Sequence, residues 1–171
     1  GLAKVRLLEL ELESRKNLSA IINTIAYPVY VLDPDHRFTV VNDSLCHFFG
    51  LTRDAILGRT PGDFISEKDS AFLWDKTEDV FKRHATREDE VTITRSDGQV
   101  REIIITSALY TEEISGQQFM VGVFKDITER KKMQAVLAEN EAWYRILFEH
   151  TGAATIIINE NGTIDQANSE L

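Results

Sequence analysis

Residues 117–132 read Gln-Gln-Phe-Met-Val-Gly-Val-Phe-Lys-Asp-Ile-Thr-Glu-Arg-Lys-Lys, an apolar run that passes directly into a charged one. In the apolar half, Phe119, Val121 and Val123 alternate with Met120, Gly122 and Phe124. Side chains two apart share one face of a strand, so this strand is apolar on both faces and wants cover on each. It belongs at the centre of a sheet. Lys125 and Asp126 end the run over residues 117–125, and the Thr128 hydroxyl can accept from an otherwise unpaired N–H at the start of a helix. The stretch therefore predicts a central strand that feeds a charged helix.

The residues before it supply the rest of a sheet. Residues 28–33 and 37–42 are β-branched and aromatic runs separated by Pro34-Asp35-His36, a hairpin signal. Asn42, Asp43 and Ser44 are helix-capping types ahead of Leu45-Cys46-His47-Phe48-Phe49, and Gly50 stops that short helix. Short turns fit residues 53–57 and 61–65. Ser66-Glu67-Lys68-Asp69 then opens a longer helix through Phe72, Leu73, Thr77, Val80 and Phe81, fading at Lys82-Arg83-His84. Strands follow over 88–95 and 100–109 around Ser96-Asp97-Gly98. The order predicts an α+β fold: a five-stranded antiparallel sheet with helices inserted between the second and third strands, which bury one sheet face.

Asp126-Ile127-Thr128 followed by Glu129-Arg130-Lys131-Lys132 resembles the exit motif of the PAS (S-box) family of sensory domains. The resemblance extends back through Ser96-Asp97-Gly98 and Pro28 to Asn42, over residues 20–132. It implies the PAS fold, flanked by N-terminal and C-terminal signalling helices. It also implies an inner wall made of Tyr30, Leu32, Ile103, Ile105, Met120 and Phe124 from the sheet, with Phe48, Phe64, Leu73 and Trp74 from the helices. That wall either encloses a small apolar ligand or is a filled core. Asp126, Ile127 and Thr128 would then form the relay from sheet to helix, with the Asp126 carboxylate holding the joint.

The ends of the chain carry two further patterns. Residues 1–25 place Val5, Leu8, Leu12, Leu18, Ile21, Ile22 and Ile25 three or four apart among charges, apart from a break at Arg15 and Ser19. This predicts an amphipathic, coiled-coil-like helix. Shifting the chain by 126 positions lays residues 21–45 on 147–171 without a gap, Asn42 falling on Asn168 and Leu45 on Leu171. The expected organisation is thus an N-terminal helix over 1–25, a PAS domain over 26–127, a signalling helix over 128–150, and the start of a second, truncated PAS domain over 151–171. Met133, Val136, Leu137, Asn140, Trp143, Ile146 and Leu147 give the linking helix an approximate heptad, the pattern of a dimeric rod.

Composition narrows the function. Lys plus Arg number 19 against 28 Asp plus Glu, a net charge of −9, which argues against nucleic acid and anionic membranes as partners. One cysteine, Cys46, excludes an internal disulfide framework and a cysteine zinc site, so a reducing cytoplasm fits. No apolar run approaches the roughly 18 residues of a membrane span. A Gly-rich phosphate loop, a His-Glu-x-x-His pair and a Gly-x-Ser-x-Gly elbow are all missing, and no histidine has kinase phosphoacceptor surroundings, so no catalytic residue and no metal site are expected. Light-sensing flavin members of the family carry a reactive cysteine near residues 59–64, where this chain has none. For haem, His84 is the single candidate ligand, and Lys82, Arg83 and Arg87 around it speak for a solvated helix end.

Together these imply a cytoplasmic sensory module of a multi-domain signalling protein, foremost a two-component sensor histidine kinase. It would dimerise through its flanking helices and relay a signal from the sheet to a coiled-coil helix and a downstream kinase domain. Two alternatives stand beside it: a ligand-free dimerisation or spacer module, and the input domain of a cyclic-dinucleotide enzyme.

Overall fold

The computed structural model describes residues 1–171. The period-two runs become β1 (Val29–Leu32), β2 (Phe38–Val41), β3 (Arg87–Thr94), β4 (Val100–Thr111) and β5 (Gln118–Asp126), an antiparallel sheet in the order β2-β1-β5-β4-β3. β5 sits in the middle, as its two apolar faces require. It pairs with β1 from Val29↔Val123 to Leu32↔Met120, and with β4 from Ile103↔Asp126 to Thr111↔Gln118. The strand runs one residue past the sequence boundary because Asp126 still faces a partner, Ile103.

Between β2 and β3 lie α2 (Asp43–Phe49), α3 (Arg53–Ile56), a 3-10 turn (Pro61–Phe64) and α4 (Glu67–Arg83). Local chemistry sets their ends. Asn42 Oδ1 accepts from Leu45 N at 3.0 Å to start α2, and Gly50 ends it at φ +68°, a left-handed conformation that glycine adopts without strain. Ser66 Oγ accepts from Asp69 N at 3.2 Å to start α4, while Asp69 Oδ2 accepts from Thr94 N at 2.7 Å and stitches that start to the end of β3. These helices bury the inner sheet face. Leu32, Leu45, Ile56, Ile103 and Met120 are the most completely buried aliphatic side chains there.

None of the 23 residues of α1 (Leu2–Thr24) is buried. At about 100° per residue, Leu7 and Leu10 stand opposite Val5, Leu8 and Leu12, so apolar groups occupy two sides of the helix and stay exposed on both.

The chain divides into two units, Gly1–Ile127 and Thr128–Leu171. In the second, α5 (Thr128–Glu149) leads to the hairpin of β6 (Ile156–Ile158) and β7 (Ile164–Ala167). Thr128 is the first residue of the helix itself, one place later than the cap position expected for it. β6 and β7 pair as Ile156↔Ala167, Ile157↔Gln166 and Ile158↔Ile164, with the register slipping between Ile157 and Ile158. β1 and β2 slip at the matching place, between Val31 and Leu32. No helix is long and apolar enough to cross a membrane.

Candidate functional site

Alternation along the strands puts Tyr30 and Leu32, Val91 and Ile93, Ile103 and Ile105, and Met120 and Phe124 on one face. α2 and α4 roof that face with Phe48, Phe49, Leu73, Thr77 and Val80. A cavity of about 60 Å³ remains between roof and sheet. Its aromatic wall is packed edge to face: Phe48 meets Phe124 at 4.8 Å between ring centroids and 75°, and Tyr30 meets Phe38 at 5.6 Å and 81°. Burial pushes the Tyr30 phenol up to about 12, so it faces the cavity as a neutral group.

The wall has a polar side. Lys76 Nζ from α4 lies 3.0 Å from Asp89 Oδ1 of β3, and Arg87 braces both Asp89 and Asp79, the latter at 2.7 Å. Partial burial opposes the charge on Asp89, but hydrogen bonds from Arg87 and Lys76 outweigh it and hold the carboxyl below its usual range. Ser107 adds a buried hydroxyl from β4.

Of the ten wall residues expected from sequence, eight line this cavity: Tyr30, Leu32, Phe48, Leu73, Ile103, Ile105, Met120 and Phe124. Two do not. Phe64 is buried behind the wall against Phe38 and Phe49, at 6.2 and 5.2 Å. Trp74 is 45% exposed and lies on His36, ring centroids 3.9 Å apart. Leu73, Thr77 and Val80 point inward at helical spacing, and one residue past Leu73 the helix has turned by about 100°. His84 lies outside the cavity as the left-handed C-cap of α4, at φ 52°, with Nδ1 3.0 Å from Gln118 Nε2.

Sequence reasoning missed the polar side and His36. Asp89, Val91 and Ile93 do share a period-two face, which was a usable signal. The pairing of Asp89 with Lys76 was not legible, because helix and strand meet only in the folded chain. His36 is almost wholly buried, tilted against Trp74 at 3.9 Å and parallel to Phe81 at 5.8 Å between ring centroids, with Nε2 3.0 Å from Glu78 Oε1 at ion-pair distance but without hydrogen-bond alignment. Burial lowers its pKa, and Glu78, Asp33 and Asp35 only partly offset that.

At the exit, Ile127 is buried and its N–H donates to Glu102 O at 2.8 Å. Asp126 Oδ2 stands 3.6 Å from Arg101 Nη1. β4 thus holds the end of β5 up to the last residue before the helix.

A family model described as PAS domain matches residues 26–129. An uncharacterized protein of Sinorhizobium fredii is 27% identical over 135 residues, covering 78% of this chain and 16% of its own length. Sporulation kinase E of Bacillus subtilis is 24% identical over 164 residues, covering 95% of this chain and 21% of its own length. The chain thus spans about a fifth or less of these two relatives. Among solved structures, the PAS domain of an HTR-like protein from Haloarcula marismortui superposes with a TM-score of 0.58 at 24% identity, over 72% of this chain and 99% of that one, a likeness of fold.

Proposed function

The chain belongs to the PAS domain family, and from that premise we propose that it is the sensory module of a multi-domain signalling protein of the sensor histidine kinase type. One observation carries the reading. Met120 and Phe124 line the cavity from β5, and the same strand runs on through Asp126 to Ile127, after which α5 begins. An occupant that shifts the wall therefore acts directly on the strand that leads to the output helix. Likeness to Sporulation kinase E over 95% of the chain supports a kinase as the partner domain in the same polypeptide.

The wall fits a small, mainly apolar molecule with one polar group turned toward Ser107 or the Lys76–Asp89 pair. An apolar cavity of ~150 Å³ holds benzene, so the 60 Å³ here accommodates only a few heavy atoms as it stands. A drug-sized ligand occupies about 300–1,000 Å³ and would need α4 to move off the sheet. The small volume is also the observation that favours the second reading, a ligand-free dimerisation and spacer module. In both readings a homodimer forms through the exposed apolar residues of α1 and α5, and residues 151–171 open a second PAS module.

Native mass spectrometry of the purified chain separates the two. A co-purifying small molecule that Ile105→Phe expels supports sensing; a bare mass, unchanged after incubation with small apolar metabolites, supports the spacer.

A further inference from the structure

Asn42 is fully buried and engages both ends of its side-chain amide. Oδ1 accepts from Val29 N at 2.9 Å and Leu45 N at 3.0 Å. Nδ2 reaches the carbonyl oxygens of Ile22, Ile25 and Tyr27 at 3.1, 3.3 and 2.9 Å. One side chain thus joins the last turn of α1, the linker, the start of β1 and the start of α2.

Asn168 repeats the arrangement 126 positions later. Its Oδ1 accepts from Thr155 N at 2.8 Å, and its Nδ2 reaches Phe148 O, Thr151 Oγ1 and Ala153 O at 2.9, 3.1 and 2.9 Å. The backbone bonds recur as well: Asn42 N to Val29 O at 3.1 Å, and Asn168 N to Thr155 O at 3.0 Å. So does the neighbouring side-chain bond, Asp43 N to Asn23 Oδ1 at 3.0 Å and Ser169 N to Glu149 Oε2 at 2.8 Å. Asn23 and Glu149 differ in type, yet each accepts the same N–H. The geometry is kept where the residue identities are not.

We propose that Asn42 and Asn168 are positioning residues that clamp the helix arriving at each module to the first strand of its own sheet, so that displacement of that helix enters the sheet without passing through the cavity. This deepens the relay reading given above and rests on it. α1 buries none of its residues, so packing holds it weakly and bonds to its terminal carbonyls matter most. From Val29 the route is short. Val29 pairs with Val123, Phe124 N donates to Pro28 O at 3.1 Å, and β5 ends at Asp126. The arriving helix and the departing chain are thus attached to the same end of two adjacent antiparallel strands. In the second unit α5 holds the place of α1, so one helix serves as output of the first module and input of the next.

Asparagine is required because the clamp needs acceptor and donor from one planar group. Aspartate keeps the oxygen that serves Val29 N and Leu45 N, but sets a second oxygen against three carbonyls. Asn42→Asp therefore separates the clamp from the fold. Spin labels at the exposed positions Glu13 and Val100, in a Cys46→Ser background diluted with unlabelled chain, report the helix-to-sheet distance by double electron-electron resonance. In Asn42→Asp the distribution should widen roughly twofold while β1 and β5 amides keep their hydrogen-exchange protection. Asn168→Asp should speed exchange in the last turn of α5 by about tenfold or more and leave the β6–β7 amides protected. An unchanged width in Asn42→Asp, or widening matched by equal loss of protection in β1 and β5, overturns the clamp. An empty cavity by mass spectrometry would sink the sensing reading and leave this result standing.

Discussion

Gly122 of β5 lies directly across from Tyr30 of β1, and the Tyr30 ring covers the place where a side chain at 122 would be. A Cβ built there meets Tyr30 Cζ at 2.2 Å, Oη at 2.5 Å and Cε2 at 2.6 Å. Carbon atoms settle at about 3.5 Å or more, so Gly122→Ala forces the ring back by roughly 1 Å. Phe38 and Phe124 flank that ring at 5.6 and 6.4 Å, which leaves the cavity as its free direction. Overpacking of this kind costs about 1–3 kcal/mol, and replacing a strand glycine recovers about 0.5–1 kcal/mol. With the middle of each range, the net expectation is a loss of about 1 kcal/mol in urea unfolding, together with a smaller cavity. Tyr30→Leu deletes the three clashing atoms, so Gly122→Ala in that background should cost nothing or stabilise slightly. Equal costs in the two backgrounds, or a single-variant effect within about 0.5 kcal/mol of zero, would refute the account of Gly122 as the residue that makes room for Tyr30.

Two further outcomes are expected. His36 binds a proton less readily when folded than when unfolded, so its contribution is present above the unfolded value of about 6.5 and declines as pH falls from there toward the folded pKa; urea midpoints at pH 7 and 5.5 should differ more in wild type than in His36→Gln, and parallel profiles would exclude this role. Asp63, Asp69 and Asp89 have depressed values, so their contributions are lost only at lower pH, outside that window. Removing residues 1–17 takes away most of the exposed apolar surface of α1 and should weaken self-association, read by sedimentation; a monomeric intact chain at high micromolar concentration would refute dimerisation through that helix.

Much of the fold was legible because it rests on local periodicity. β5 announced itself as central through two apolar faces, and the insertion of helices between β2 and β3 followed from capping residues and turns. The site was legible on the strand side, where a period of two fixes the face of each residue. On the helix side a neighbour error is enough to fail. Trp74 follows Leu73 by one residue, yet leaves the cavity and lies on His36. α1 shows a different limit, since a three-four spacing can be traced through Val5, Leu8 and Leu12 while Leu7 and Leu10 add apolar groups on the opposite side, so spacing alone assigns it no single seam.

The turn of the first hairpin shows what local rules leave undetermined. Asp33 Oδ1 accepts from Asp35 N and Arg37 N, both at 2.9 Å, and Asn159 Oδ1 accepts from Asn161 N and Thr163 N at 3.0 and 3.2 Å. Both turns need a left-handed residue before their second strand. The second uses Gly162 at φ 79°, where glycine is unstrained, and the first uses His36 at φ 61°, where an L side chain costs of order 1 kcal/mol. The turn itself gains nothing from histidine over glycine. The ring is retained by what it meets on α4: the rings of Trp74 and Phe81, and Glu78 at its Nε2 edge. α4 also roofs the cavity with Leu73, Thr77 and Val80. The strained residue is therefore a peg between the β1–β2 turn and the helix that must move if the cavity is to enlarge, and its protonation state bears on how firmly that helix stays down.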